Sequence, residues 1–142
     1  MKIALKRIDD SFNMEAVDEL GHSVLMDSSV ENGGKNNGIR PMQMLIMGLG
    51  GCSAIDVVMI LKKQRQHITG FEISIDAERE KGKEPSLWES AHLVFRIDGD
   101  VDPDKARRAV ELSMDKYCSV AETLRQGNTN LTWEVKVNES AN

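Results

Sequence analysis

No Cys-x-x-Cys pair occurs in this chain of 142 residues; its two cysteines, Cys52 and Cys118, stand far apart. A thioredoxin-like dithiol motif is therefore absent. The three histidines, His22, His67 and His92, are equally isolated. None forms a helical pair or a Cys/His spacing set, so the sequence offers no metal-ligand pattern. Phosphate-loop, GxGxxG, GxSxG and HExxH motifs are missing, and Gly33-Gly34 and Gly50-Gly51 are too short to cradle a phosphate. Basic excess is also lacking: 18 Lys and Arg against 23 Asp and Glu leave a net charge of -5. Nucleic acid is thus an improbable partner. The short clusters Lys62-Lys63 and Arg107-Arg108 read as solvated helix surface. The first seven residues, Met1 to Arg7, lack the apolar core of a signal peptide. A cytoplasmic location is the resulting expectation, and thiols there are chemical or simply buried rather than structural staples.

What is present fits one domain over residues 1–142. Lys2–Ile8, Ser11–Val17 and Leu20–Asp27 read as short strands, the first two joined by an Asp9-Asp10 turn. Ser28 to Gly38 has loop composition. Pro41 suits the first position of a helix. From Met42 to Leu61 no polar face interrupts the apolar residues, which predicts a helix buried all round. Its core, Met44 to Leu61, approaches spanning length. Three glycines, Ser53 and a central Asp56 favour a protein core over a membrane. Close packing, or room beside Cys52, would explain the glycines. Lys62, Lys63, Arg65 and His67 place positive charge at the helix's C-terminal end.

Phe71 to Ala77 alternates apolar and polar residues as a half-buried strand does, and Trp88 to Asp98 returns after a Gly82/Pro85 turn. Asp102-Pro103 marks a helix start, and that helix extends to about Tyr117. Ser119 to Glu122 has the spacing of a capping box, opening a helix that stops near Gly127. Leu131 to Val137 closes the chain as a strand. Trp88 and Trp133 are core aromatics. The fold class is α+β, with mostly antiparallel sheets around a long buried central helix. One small domain would struggle to bury that helix, which points to a second subunit.

Two residues remain for chemistry. Cys52, within the buried helix, reads by itself as a packed core thiol with a raised pKa. Cys118 precedes the Ser119 helix, where the positive end of the dipole favours a thiolate. Electrostatics alone therefore nominates Cys118 as the more acidic thiol.

A proline-opened helix bearing Gly50-Gly51-Cys52, followed much later by Tyr117-Cys118-Ser119-Val120 before a last strand, resembles the osmotically inducible protein C/organic hydroperoxide resistance (OsmC/Ohr) family. The segments Arg40 to Val58 and Asp115 to Ala121 are similar to its YhfA-like bacterial branch. The resemblance covers nearly the whole chain. It implies an intertwined homodimer with sites at the subunit interface. It also implies that Cys52, rather than Cys118, is the nucleophile: its thiol attacks an organic hydroperoxide and becomes a sulfenic acid. Cys118 then resolves this as a disulfide, a dithiol reductant restores both thiols, and neither metal nor organic cofactor is required. The family's activating arginine corresponds by position to Arg7, with Arg40 the nearer alternative in sequence. Met42 follows Pro41 where active members carry a glutamate, and Gln43 is neutral, so the arginine's orienting carboxylate is replaced. A second reading follows: a non-catalytic binder of an apolar small molecule, or a redox sensor, with Met42, Met44 and Met47 lining the pocket. A purely structural domain is the third.

Overall fold

A computed structural model describes residues 1–140 and divides the chain into two compact units, Met1–Leu45 and the remainder from Ile46 onward. The first unit holds an antiparallel sheet of β1 (Ile3–Arg7), β2 (Met14–Asp18) and β3 (Ser23–Met26), in that order. Aspartates build its connections. Asp9 Oδ1 accepts from the backbone N–H groups of Ser11 (2.8 Å) and Asn13 (3.1 Å), and Asp18 Oδ1 accepts from those of Leu20 and His22. Such side-chain acceptance fixes tight turns.

The segment after β3 is a loop with one short 3-10 turn, Val30–Asn32. Asp27, nearly buried at 3% exposure, organises it: its carboxylate accepts from the N–H groups of Ser28, Lys35 and Asn37. The Asn37 N–H, then those of Ser28 and Lys35, hold the Asp27 pKa below its ordinary value against the opposing effect of burial.

Helix α1 spans Pro41–Lys63 and starts in the first unit. The Arg40 N–H donates to Gln43 Oε1 at 2.9 Å, the reach-back half of a capping box. Only Leu49, Ser53, Val57 and Leu61 of α1 are buried. Their fourfold spacing defines one stripe, which corrects the expectation of burial on every side. Met47, Ile55 and Met59 remain 51%, 65% and 46% exposed, off the stripe that packs into the core of the second unit. By length and composition α1 could cross a membrane, but its buried stripe belongs to a protein core.

That core lies in the second unit. β4 (His67–Arg79) and β5 (Trp88–Asp100) form a long antiparallel hairpin, and β6 (Asn130–Val137) joins β5 in parallel. Parallel pairing needs a crossover, and two helices supply it: α2 (Pro103–Leu112) and α3 (Ser119–Gln126). Leu49, Val57 and Leu61 of α1 join Leu93, Phe95 and Ile97 of β5 and Val110 of α2 in one cluster, with Trp88 and Trp133 partly buried against it. Asp102 caps α2 as its sequence predicts, accepting from the N–H groups of Asp104 and Lys105.

Candidate functional site: a cysteine pair with an aspartate

α2 does not stop cleanly. It widens into a π turn, Ser113–Tyr117, closed by the Cys118 N–H donating to the Ser113 carbonyl at 2.8 Å. π turns inside helices commonly mark functional positions. Here the turn delivers Cys118 to the start of α3. The predicted Ser119–Glu122 capping box does not form, because Cys118 itself is the N-cap: its Sγ accepts from the Ala121 N–H at 3.4 Å. Glu122 instead accepts from Gln126 Nε2.

Cys52 lies one face of α1 away from solvent, half-buried, whereas Cys118 is 3% exposed. The two sulfurs and a carboxylate oxygen of Asp56 all lie within 4.8 Å of one another. The helix puts Asp56 there, since residues four apart share a face. Asp56 is fixed in turn by buried Ser113, whose hydroxyl donates to Oδ2 at 3.0 Å. Neighbouring Ser53 satisfies its own buried hydroxyl on the Leu49 carbonyl at 2.8 Å.

Burial, then a hydrogen bond with Cys52, pushes the Cys118 thiol up to about 11. The Ala121 and Val120 N–H groups pull the other way and lose. The expectation that the helix terminus lowers the Cys118 thiol is therefore not met: desolvation of a thiolate outweighs a short helix's dipole.

Elsewhere on α1, Met47, Gly50, Gly51, Ala54, Phe71 and Ile73 line an open, largely apolar groove of about 540 Å³ against β4; neither cysteine lines it. Gly50 has a packing reason: an added Cβ would come within 3.1 Å of Ile75 Cδ1. The three methionines do not share this groove. Met47 lines it, Met44 lines another within the first unit beside Ile3 and Leu5, and Met42 lines neither.

Both candidate arginines belong to the first unit. Arg7 ends β1, is exposed, and feels the charge of Asp10. Arg40 donates to the Gly38 carbonyl (3.0 Å), the Asp27 carbonyl (3.5 Å) and Asn36 Oδ1 (2.8 Å), so its guanidinium braces the loop. The histidines stay apart: His22 contacts Asp18, His92 contacts Thr132, and His67 opens β4.

Sequence reasoning passed over Asp56 and Ser113 as site residues. The i, i+4 spacing of Cys52 and Asp56 was a usable signal. The Ser113 contact was not, because it depends on the π turn.

The structure thus defines an α+β protein whose two thiols are held close together between a long helix and a crossover turn. The OsmC-like protein family model matches residues 34–134, and the chain belongs to that family. It is 42% identical over 118 residues to protein YhfA of Escherichia coli strain K12, covering 82% of this chain and 84% of that one. A solved structure of a hypothetical protein from Aquifex aeolicus VF5 superposes with a TM-score of 0.79 at 29% identity, covering 97% of each chain. The organic hydroperoxide resistance protein OhrB of Bacillus subtilis has the same fold, with a TM-score of 0.66 at 20% identity over 95% of this chain and 96% of that one.

Proposed function

We propose that this protein is a cytoplasmic thiol-dependent reductant of organic hydroperoxides, acting in oxidative stress, with Cys52 as nucleophile and Cys118 as resolving thiol. The observation that carries the reading is the proximity of a half-exposed thiol to a buried one. The exposed partner meets substrate, and the buried one waits behind it.

In the first step Cys52 Sγ attacks the terminal peroxide oxygen. The O–O bond breaks, the thiol proton goes to the departing alkoxide, and an alcohol leaves a sulfenic acid on Cys52. Cys118 Sγ then attacks the Cys52 sulfur, its proton joins the departing hydroxide, and water is released as the disulfide forms. A disulfide requires the sulfurs to close from within 4.8 Å of each other to about 2.05 Å. A dithiol reductant returns both thiols by exchange. The apolar groove beside Gly51 suits the organic portion of the peroxide. By the family resemblance Arg7, or alternatively Arg40, would supply a cation for the Cys52 thiolate; the Arg40 guanidinium is engaged with the Gly38 carbonyl and Asn36. The uncovered apolar face of α1 supports a homodimer in which a second copy covers it.

Turnover of cumene hydroperoxide with dithiothreitol as reductant tests this reading. Wild type should consume the peroxide and Cys52→Ser should not. Equal rates in the two proteins would defeat it.

The groove favours one second reading, reversible binding of an apolar small molecule without turnover. Ligand-dependent stabilisation in the absence of any thiol oxidation would select it.

A further inference from the structure

We infer that Cys52, Cys118 and Asp56 form a binding site for a thiophilic divalent cation of the zinc class. Two sulfurs and a carboxylate oxygen converge within 4.8 Å. Zinc bonds of about 2.3 Å to sulfur and about 2.0–2.2 Å to oxygen place ligand atoms roughly 3.5–3.8 Å apart in a tetrahedron. Small rotations of three side chains reach that geometry. Ser113 supplies the outer support that metal-binding carboxylates usually have, its hydroxyl orienting Asp56 at 3.0 Å. Cys52 and Asp56 are half-exposed, which provides an entry path and leaves the fourth position to water.

Charge supports the same assignment. Among the described residues no lysine or arginine forms an ion pair with Asp56. A divalent cation offsets most of the negative charge that two thiolates and a carboxylate bring to one point. Binding is thus an exchange: the ion enters, two thiol protons leave, and the complex carries one net negative charge. The sequence concealed this site because its ligands come from α1 and from the end of a π turn far along the chain.

The site does not depend on hydroperoxide being the substrate, but it bears on the thiols' fate. Metal occupancy and the Cys52–Cys118 disulfide use the same sulfurs, so they exclude one another. A bound ion shields the pair from oxidant, and oxidation of the pair releases the ion.

Titration of the reduced full-length protein with Co²⁺, followed by Zn²⁺ displacement, tests the proposal. The expected result is one Co²⁺ per chain, a near-ultraviolet thiolate-to-cobalt charge-transfer band and intense visible absorption of a tetrahedral ion. Zn²⁺ should erase both signals and protect both cysteines from alkylation. Cys52→Ser and Cys118→Ser should lose the charge-transfer signature of the pair. Asp56→Asn and Ser113→Ala, checked by their metal-free melting temperatures, should bind about tenfold more weakly or worse. The disulfide form should bind no ion. Absence of the band in wild type would overturn the inference. So would unchanged affinity in Asp56→Asn, since that is adventitious capture by two thiols alone. A peroxide-inert protein that still binds Co²⁺ in this way would separate this result from the fate of the catalytic reading.

Discussion

The Cys118 sulfur does two things at once: it accepts the Ala121 N–H that begins α3 at 3.4 Å, and it lies within 4.8 Å of the Cys52 sulfur. The structural cap of α3 and the proposed resolving thiol are therefore one atom. Formation of a disulfide changes the cap, and loss of the cap moves the thiol.

Replacement of Cys118 separates these roles. Cys118→Ala removes the cap acceptor and should cost about 1 kcal/mol, whereas Cys118→Ser retains a favoured cap and should stay close to wild type. Urea unfolding of both variants measures the difference. Both variants should fail to form the intramolecular disulfide.

The raised thiol gives a signed dependence on pH. Cys118 titrates near 11 in the folded chain, above its ordinary 9.0. The proton thus binds the folded state more tightly. That stabilisation is complete below about pH 9 and is lost as pH rises through 11, a total on the order of 2–3 kcal/mol. Unfolding free energies of wild type and Cys118→Ser should run close together below pH 9, and wild type should fall away from the variant as pH rises from 9 through 11. Parallel curves would show that burial does not perturb the thiol.

Alkylation should discriminate the two cysteines. Half-exposed Cys52 should be modified by iodoacetamide well before Cys118, which is both buried and protonated at neutral pH. Mass mapping of partially labelled protein gives the order directly.

Much of this arrangement is legible in the sequence. Asp102-Pro103 announces α2 because a side-chain acceptor and a proline at N1 are local signals that need no tertiary partner. The alternating residues from Phe71 and from Leu131 give β4 and β6 for the same reason. The failures are nonlocal. Cys118 looked acidic because a helix start is visible in sequence, while the burial that overrides it depends on residues far away in the chain, such as those of α1, meeting the turn. Ser119 and Glu122 had capping-box spacing, but the π turn advanced the cap by one residue. α1 looked buried throughout because composition records how apolar a helix is, not how many of its faces one chain can cover.

Acid should loosen the loop after β3. Asp27 is held below its ordinary 3.8 by the N–H groups of Asn37, Ser28 and Lys35. A depressed carboxylate pKa stabilises the fold above the ordinary value and ceases to do so as pH falls through the folded one. Amide exchange at Ser28, Lys35 and Asn37 should lose protection in acid ahead of the β4–β5 hairpin, and Asp27→Asn should show the same loosening at neutral pH.

The central claim is that Cys52 and Cys118 form a peroxide-driven redox couple. The most direct measurement is an intact-mass time course of the reduced protein with one equivalent of cumene hydroperoxide, run beside hydrogen peroxide. The account predicts rapid loss of two hydrogens, faster with the organic peroxide, and accumulation of an oxygen adduct instead in Cys118→Ser. An unchanged mass over minutes, or a two-hydrogen loss that persists in Cys118→Ser, would contradict it.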